Sequence, residues 1–184
     1  GRELEDALEY STANVPALKG KTLILVDVSD SMTWSNGEHS KRTLMDTACL
    51  FGAILAKRAE SADLFTFDTS VYKTSFNKAD GIFPIFNKMS KTKRGTDLSR
   101  ALRQTYSDHY SRVVVITDEQ HDGYGLEPFS GVNCPVYLWN LGGYRAAATS
   151  RENVFVQGGL SDASFNFIDM IEGAYREDWP WLAR

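Results

Sequence analysis

The chain has 184 residues, 42% of them hydrophobic and 12% aromatic, with a formal charge of −4 and two cysteines. That length suits one domain, and that apolar content supplies a sizeable core, which argues against a disordered chain. The acidic balance argues against a domain whose main task is to grip phosphate backbones, and no apolar run approaches the ~20 residues of a membrane span.

The opening GRELEDALEY has an acidic flank and no apolar stretch, so no secretory signal is expected there. The sequence starts without Met, so a piece of a larger protein is expected. Residues 2–10 read as a short amphipathic helix, with Leu4, Ala7 and Leu8 on one side. In TLILVDVSDSM, Leu23 to Val26 form the continuous apolar run of a strand over 22–27, buried on both faces. That strand runs into Asp27, Ser29, Asp30 and Ser31, and a polar loop follows over 33–41.

Residues 41–60 predict a long helix, with Leu44, Ala48, Phe51, Ile54 and Leu55 at helical spacing. ADLFTFD (62–68) alternates as a strand does, and SVYKTSF (70–76) pairs with it across a turn at Asp68–Thr69. GIFPIFNKM (81–89) suits a short helix, and 96–110 a further helix with Thr96 or Asp97 at its start. RVVVITD (112–118) is a second continuous strand, and CPVYLWNL (134–141) and NVFVQGG (153–159) are two more. A helix over 161–175 follows, capped by Ser161 or Asp162. Trp179 and Trp181 in the tail either pack back on the domain or mark a junction to another module.

Strands alternating with helices predict an α/β architecture: a Rossmann-like, doubly wound, mostly parallel six-stranded sheet with helices on both faces. The short 68–70 link makes one strand antiparallel and places it at an edge. Three segments are expected: a lead-in over 1–20, the main domain over 21–176 and a tail over 177–184.

In an open α/β sheet, ligands sit outside the carboxyl ends of the strands near the point where strand order reverses. Asp27, Ser29 and Ser31 follow one predicted central strand, and Asp118 ends another. KRGTDL adds Gly95, which permits a tight backbone, and Thr96. Two carboxylates and three hydroxyls suit a hard cation, Mg²⁺ above all, with Mn²⁺ or Ca²⁺ as alternatives. Neutral hydroxyls supply oxygen without cancelling the charge of the ion, so an ion held this way accepts an anionic oxygen from a partner. Each piece alone reads as turn or cap chemistry. Three loops in strand–loop–helix context carry more weight.

DVSDSM matches the D-x-S-x-S signature of von Willebrand factor A (vWA) domains, and Thr96 in RGTD and Asp118 in VVVITDE match the other two loops of that family's metal-ion-dependent adhesion site. The resemblance covers nearly the whole chain. Within the family the chain looks most like the vWA module of the Ro (TROVE) ribonucleoproteins, through GTD, ITDE and the late FNFIDMI helix. The resemblance implies a vWA fold in which Ser29, Ser31 and Thr96 touch the metal. Asp27 and Asp118 act directly or through water, and an open position takes a ligand carboxylate or another anion. It also implies a parent RNA-binding protein, a ribonucleoprotein whose helical-repeat ring is not part of this chain. One departure is Asp30, which stands between the serines where the family usually has a small residue.

Around these ligands a rim is expected from Asp30, Trp34, Lys91, Lys93, Arg94 and His121; the bland readings are a half-buried Trp34 and a solvated basic run. His39, His109 and His121 show no ligand spacing. Cys49 reads as a helix-core residue and Cys134 as an inert strand residue. Reduced thiols favour a cytoplasmic location. The function expected is non-enzymatic: a Mg²⁺-dependent protein-interaction domain that coordinates an acidic side chain of a protein ligand, or meets RNA through a Ro-like parent, with no membrane partner. The alternatives are a haloacid-dehalogenase-type phosphatase, whose D-x-D-x-[TV] loop DVSDSM superficially resembles, and a degenerate scaffold with an empty site. Against the phosphatase, Ser29 stands where that family needs a carboxyl acid/base.

Overall fold

In the computed structural model, described for residues 12–13, 17–34, 42–118, 127–142, 151–159 and 162–176, strand β1 runs from Leu18 to Asp27 through the middle of the sheet. The remaining strands are β2 (Ala59–Phe67), β3 (Val71–Thr74), β4 (Arg112–Thr117), β5 (Val136–Asn140) and β6 (Val154–Gly158). They lie in the order β3-β2-β1-β4-β5-β6. All pairings are parallel except β2 with β3, so the short link puts the antiparallel strand at an edge. Order reverses between β1 and β4, which places the ligand-binding crevice of a doubly wound sheet at their carboxyl ends.

Successive side chains of a strand point to opposite faces, and the three central strands fill two cores on that rule. Ile24, Val26, Val114, Ile116, Tyr137 and Trp139 lie in one. That core is completed by helices α1 (Leu44–Arg58), α2 (Ile82–Lys88) and α4 (Asp162–Arg176). Leu23, Leu25, Val113, Val115, Val136 and Leu138 lie in the other, under helix α3 (Leu98–Thr105) and the short turn Glu127–Phe129. Gly52 lets α1 approach β1 closely: a Cβ there would stand 2.7 Å from Val26 Cγ2.

Several element bounds differ from the sequence expectation. α1 starts at Leu44 because Thr43 and Asp46 form a capping box, with bonds of 3.1 and 3.2 Å. It runs directly into β2, with Ala59 as both its C-cap and the first strand residue. α3 stops at Thr105, and buried Tyr110 instead donates its hydroxyl to Asp63 Oδ2 at 2.6 Å. Cys49 is a buried core residue whose thiol burial pushes up to about 12, and Cys134 is a half-buried free thiol. The expected helix over 2–10, the cap at Ser161 and the tail tryptophans lie outside the described residues.

Candidate metal centre

Asp27 closes β1 as a fully buried carboxylate. Its Oδ1 accepts the Ser29 N–H at 2.8 Å, and its Oδ2 accepts the Thr117 hydroxyl at 2.7 Å. Thr117 is the last residue of β4, so the parallel register that sets Val26 beside Ile116 brings this hydroxyl to the end of β1. Ser29 is 1% exposed, and its Oγ lies 3.2 Å from Ser31 Oγ at the start of a short 3₁₀ turn over Asp30–Thr33. Two residues of alternate spacing thus present neighbouring hydroxyls, as the sequence suggested. Asp118, also 1% exposed, follows Thr117.

Burial pushes the Asp27 carboxyl above its ordinary range, and the Asp118 carboxylate adds to the push. Hydrogen bonds from Ser29 and Thr117 oppose both. Among the described residues, the charged group that acts on Asp27 is therefore of its own sign. Two buried carboxylates close enough to repel, flanked by paired hydroxyls, are a donor set that a hard divalent cation would relieve. Among the described residues no three His, Cys, Asp or Glu side chains gather as a metal-holding group. The donor set thus depends on its hydroxyls.

The third loop is tied to the first by its backbone. Lys93 N–H donates to Val28 O at 3.0 Å, and Asp30 N–H donates to Arg94 O at 2.8 Å. These bonds bring half-buried Thr96 to the same sheet edge. The cap of α3 is Asp97, whose Oδ1 accepts the Arg100 N–H at 2.8 Å, so the Thr96 hydroxyl is not the capping group. The tight point of the loop is Lys93, with φ +60°, rather than Gly95. A left-handed non-glycine residue costs about 1–3 kcal/mol and persists where its surroundings over-determine it.

The rim divides. Asp30, Lys93 and Arg94 are exposed, and Trp34 is 64% exposed, well beyond the half-buried alternative. Lys91 departs from expectation. Its Nζ donates to Phe86 O at 3.1 Å and Met89 O at 3.4 Å and stands 4.1 Å from the Phe86 ring centroid. The final carbonyls of a helix need donors and attract cations, which explains why this ammonium is engaged at the end of α2. His121 and His39 lie outside the described residues. His109 is an exposed residue that packs on Tyr110, 4.2 Å between ring centroids.

Sequence reasoning missed Thr117 as a partner of Asp27, and it read Asp68 only as a hairpin turn. Asp68 is fully buried and accepts the Thr92 hydroxyl as well as the Ser70 N–H at 2.8 Å. The Asp68–Thr69–Ser70 run is a readable signal for an Asx turn. Nothing local signals the reach to Thr92.

No family model matches the sequence, and no curated protein matches it. The structure of the Ro (RSR) protein of Deinococcus radiodurans superposes with a TM-score of 0.66 at 17% sequence identity, over 92% of this chain. The fold is vWA-like. The present chain spans 38% of the length of that Ro protein chain. The vWA-like fold and its resemblance to a Ro protein therefore agree with the sequence expectation, and no helix among the described residues is long and apolar enough to cross a membrane.

Proposed function

We propose that this vWA-like domain is a non-enzymatic, divalent-cation-dependent interaction module. The observation that carries the reading is geometric: buried Asp27 and Asp118 stand at the carboxyl ends of two adjacent central strands, beside the Ser29 and Ser31 hydroxyls 3.2 Å apart. Ser29, Ser31 and Thr96 would hold Mg²⁺, or Mn²⁺ or Ca²⁺ in its place, with Asp27 and Asp118 in support. A cation bound there supplies positive charge to an otherwise acidic edge and leaves room for an anionic ligand atom from a partner. Asp27 keeps its orientation through Ser29 N–H and Thr117. Exposed Lys93 and Arg94 add positive potential beside the site. The partner group is an acidic protein side chain. Within a Ro-like, RNA-binding parent protein in the cytoplasm, the domain would meet RNA through that parent rather than by itself.

Titration with Mn²⁺, followed by electron paramagnetic resonance with Mg²⁺ as competitor, tests the reading. One site is expected, weakened by Ser29→Ala and by Ser31→Ala. Only free Mn²⁺ in the wild-type spectrum would refute it. A parallel assay with an aryl phosphate should give no turnover; Mg²⁺-dependent hydrolysis lost in Asp27→Asn would favour the phosphatase instead.

A further inference from the structure

We infer that Asp68 and Thr92, neither of them in the ligand set, are positioning residues that fix where Thr96 stands relative to Ser29 and Ser31 and so set cation affinity. The inference rests on the metal reading above. Asp68 lies just past the end of β2, the neighbour of β1, and its carboxyl-bearing side chain is fully buried. Every polar atom of the residue is used. Its Oδ1 takes the Ser70 N–H at 2.8 Å, its Oδ2 takes the Thr92 hydroxyl, its N–H donates to Ser70 O at 3.0 Å, and its C=O takes the Asp97 N–H at 2.9 Å. One residue therefore holds the third loop at Thr92 and at Asp97, on either side of Thr96.

Between those two grips the loop is fastened to the exit of β1, through Lys93 N–H to Val28 O and Asp30 N–H to Arg94 O. Val28 N–H in turn donates to Phe67 O at 2.8 Å, the last residue of β2. The circuit Phe67–Val28–Lys93–Thr92–Asp68 closes on itself. It ties together the segments that carry Ser29, Ser31 and Thr96. A hairpin needs only the Ser70 half of this arrangement. The Thr92 half spans 24 residues and does nothing for the turn. Lys93 is held with φ +60° between these bonds, so the loop is not in the conformation it would choose alone. Gly95 completes the fit, since a Cβ there would stand 3.3 Å from Thr69 Cγ2.

Groups that orient metal ligands typically cost about 10–100-fold in metal affinity when removed. Calorimetric titration of Mg²⁺ into the full chain, with melting in EDTA as a separate readout, tests the assignment. Thr92→Val and Asp68→Ala are expected to weaken Mg²⁺ by about tenfold or more. Asp68→Asn is expected to stay near wild type, because the amide offers an acceptor to the Ser70 N–H and a donor to the Thr92 oxygen. If Asp68→Asn weakens binding as Asp68→Ala does, charge and not position is at work, and the inference fails. A Thr92→Val protein that melts earlier in EDTA yet binds Mg²⁺ as wild type does would also overturn it, leaving the metal reading intact. A wild type that binds no Mg²⁺ overturns both.

Discussion

Strands β1 and β4 carry charge at both ends, and the two ends treat it in opposite ways. At the entry, Arg112 is 3% exposed and donates to Glu172 at 2.6 and 2.9 Å and to the Thr22 hydroxyl at 2.8 Å. Tyr137 donates to the same Glu172 at 3.3 Å. At the exit, Asp27 is as deeply buried, but its hydrogen bonds come from neutral groups and its charged neighbour is Asp118. Among the described residues, Arg112 meets a carboxylate at one end, while the groups acting on Asp27 at the other are neutral donors and a carboxyl of its own sign. The first arrangement serves the fold, and the second is the one on which the proposed cation site rests.

Breaking the entry should therefore cost the most stability. Removing one partner of a buried pair typically costs about 3–5 kcal/mol, and Arg112→Ala should lie toward the lower figure because Glu172 keeps some solvent. Urea denaturation of the variant measures this, and Mg²⁺ affinity should hold while the fold holds.

At the exit the same kind of change should leave the metal-free fold unharmed. Asp27→Asn keeps an acceptor for Ser29 N–H and can donate to Thr117, while it removes the like-charge repulsion. Unfolding in EDTA should show stability equal to or above wild type. The gain from Mg²⁺, about 2.7 kcal/mol at a hundredfold excess over Kd, should vanish.

Asp63 sharpens the contrast through pH. Burial pushes its carboxyl up, but the Tyr110 hydroxyl and the Lys21 and Lys73 ammoniums outweigh that, and the net direction is down. A carboxyl lowered in the folded state stabilises fully above its unfolded value of about 3.9 and loses that contribution as pH falls through its folded value. Acid titration of stability should thus show a loss below about pH 3.9 that is smaller in Asp63→Asn.

The basic run gives the smallest effects. Lys91→Ala removes a cation from the end of α2 and should cost about 0.3–1 kcal/mol. The double variant Lys93→Ala/Arg94→Ala should stay within about 0.5 kcal/mol of wild type and keep the Mg²⁺ response. A double variant that loses that response would place these two side chains within the metal site itself.

The sheet was legible because Leu23 to Val26 and Val113 to Ile116 are continuous apolar runs, and strand placement follows from burial that such runs require. The Asp27, Ser29 and Ser31 cluster was legible because its spacing is local. Helix ends were less so: Thr43 caps through a two-bond box with Asp46 and Asp97 through one side-chain bond, and both compete with neighbours of equal propensity. Lys91 looked like its neighbours Lys93 and Arg94, and only the fold shows which ammonium reaches the carbonyls of α2. Asp68 was hidden for a similar reason. Its bond to Thr92 joins segments brought together by the sheet, and no period in the sequence encodes it.

Cation binding at the exit of β1 and β4 is tested by thermal or urea unfolding of wild type with saturating Mg²⁺ and with EDTA, beside Asp27→Asn and Ser29→Ala. Wild type should show a Mg²⁺-dependent stabilisation that Asp27→Asn loses and Ser29→Ala reduces, with both variants still unfolding cooperatively. A wild type indifferent to Mg²⁺, or an Asp27→Asn protein stabilised as much as wild type, would contradict it.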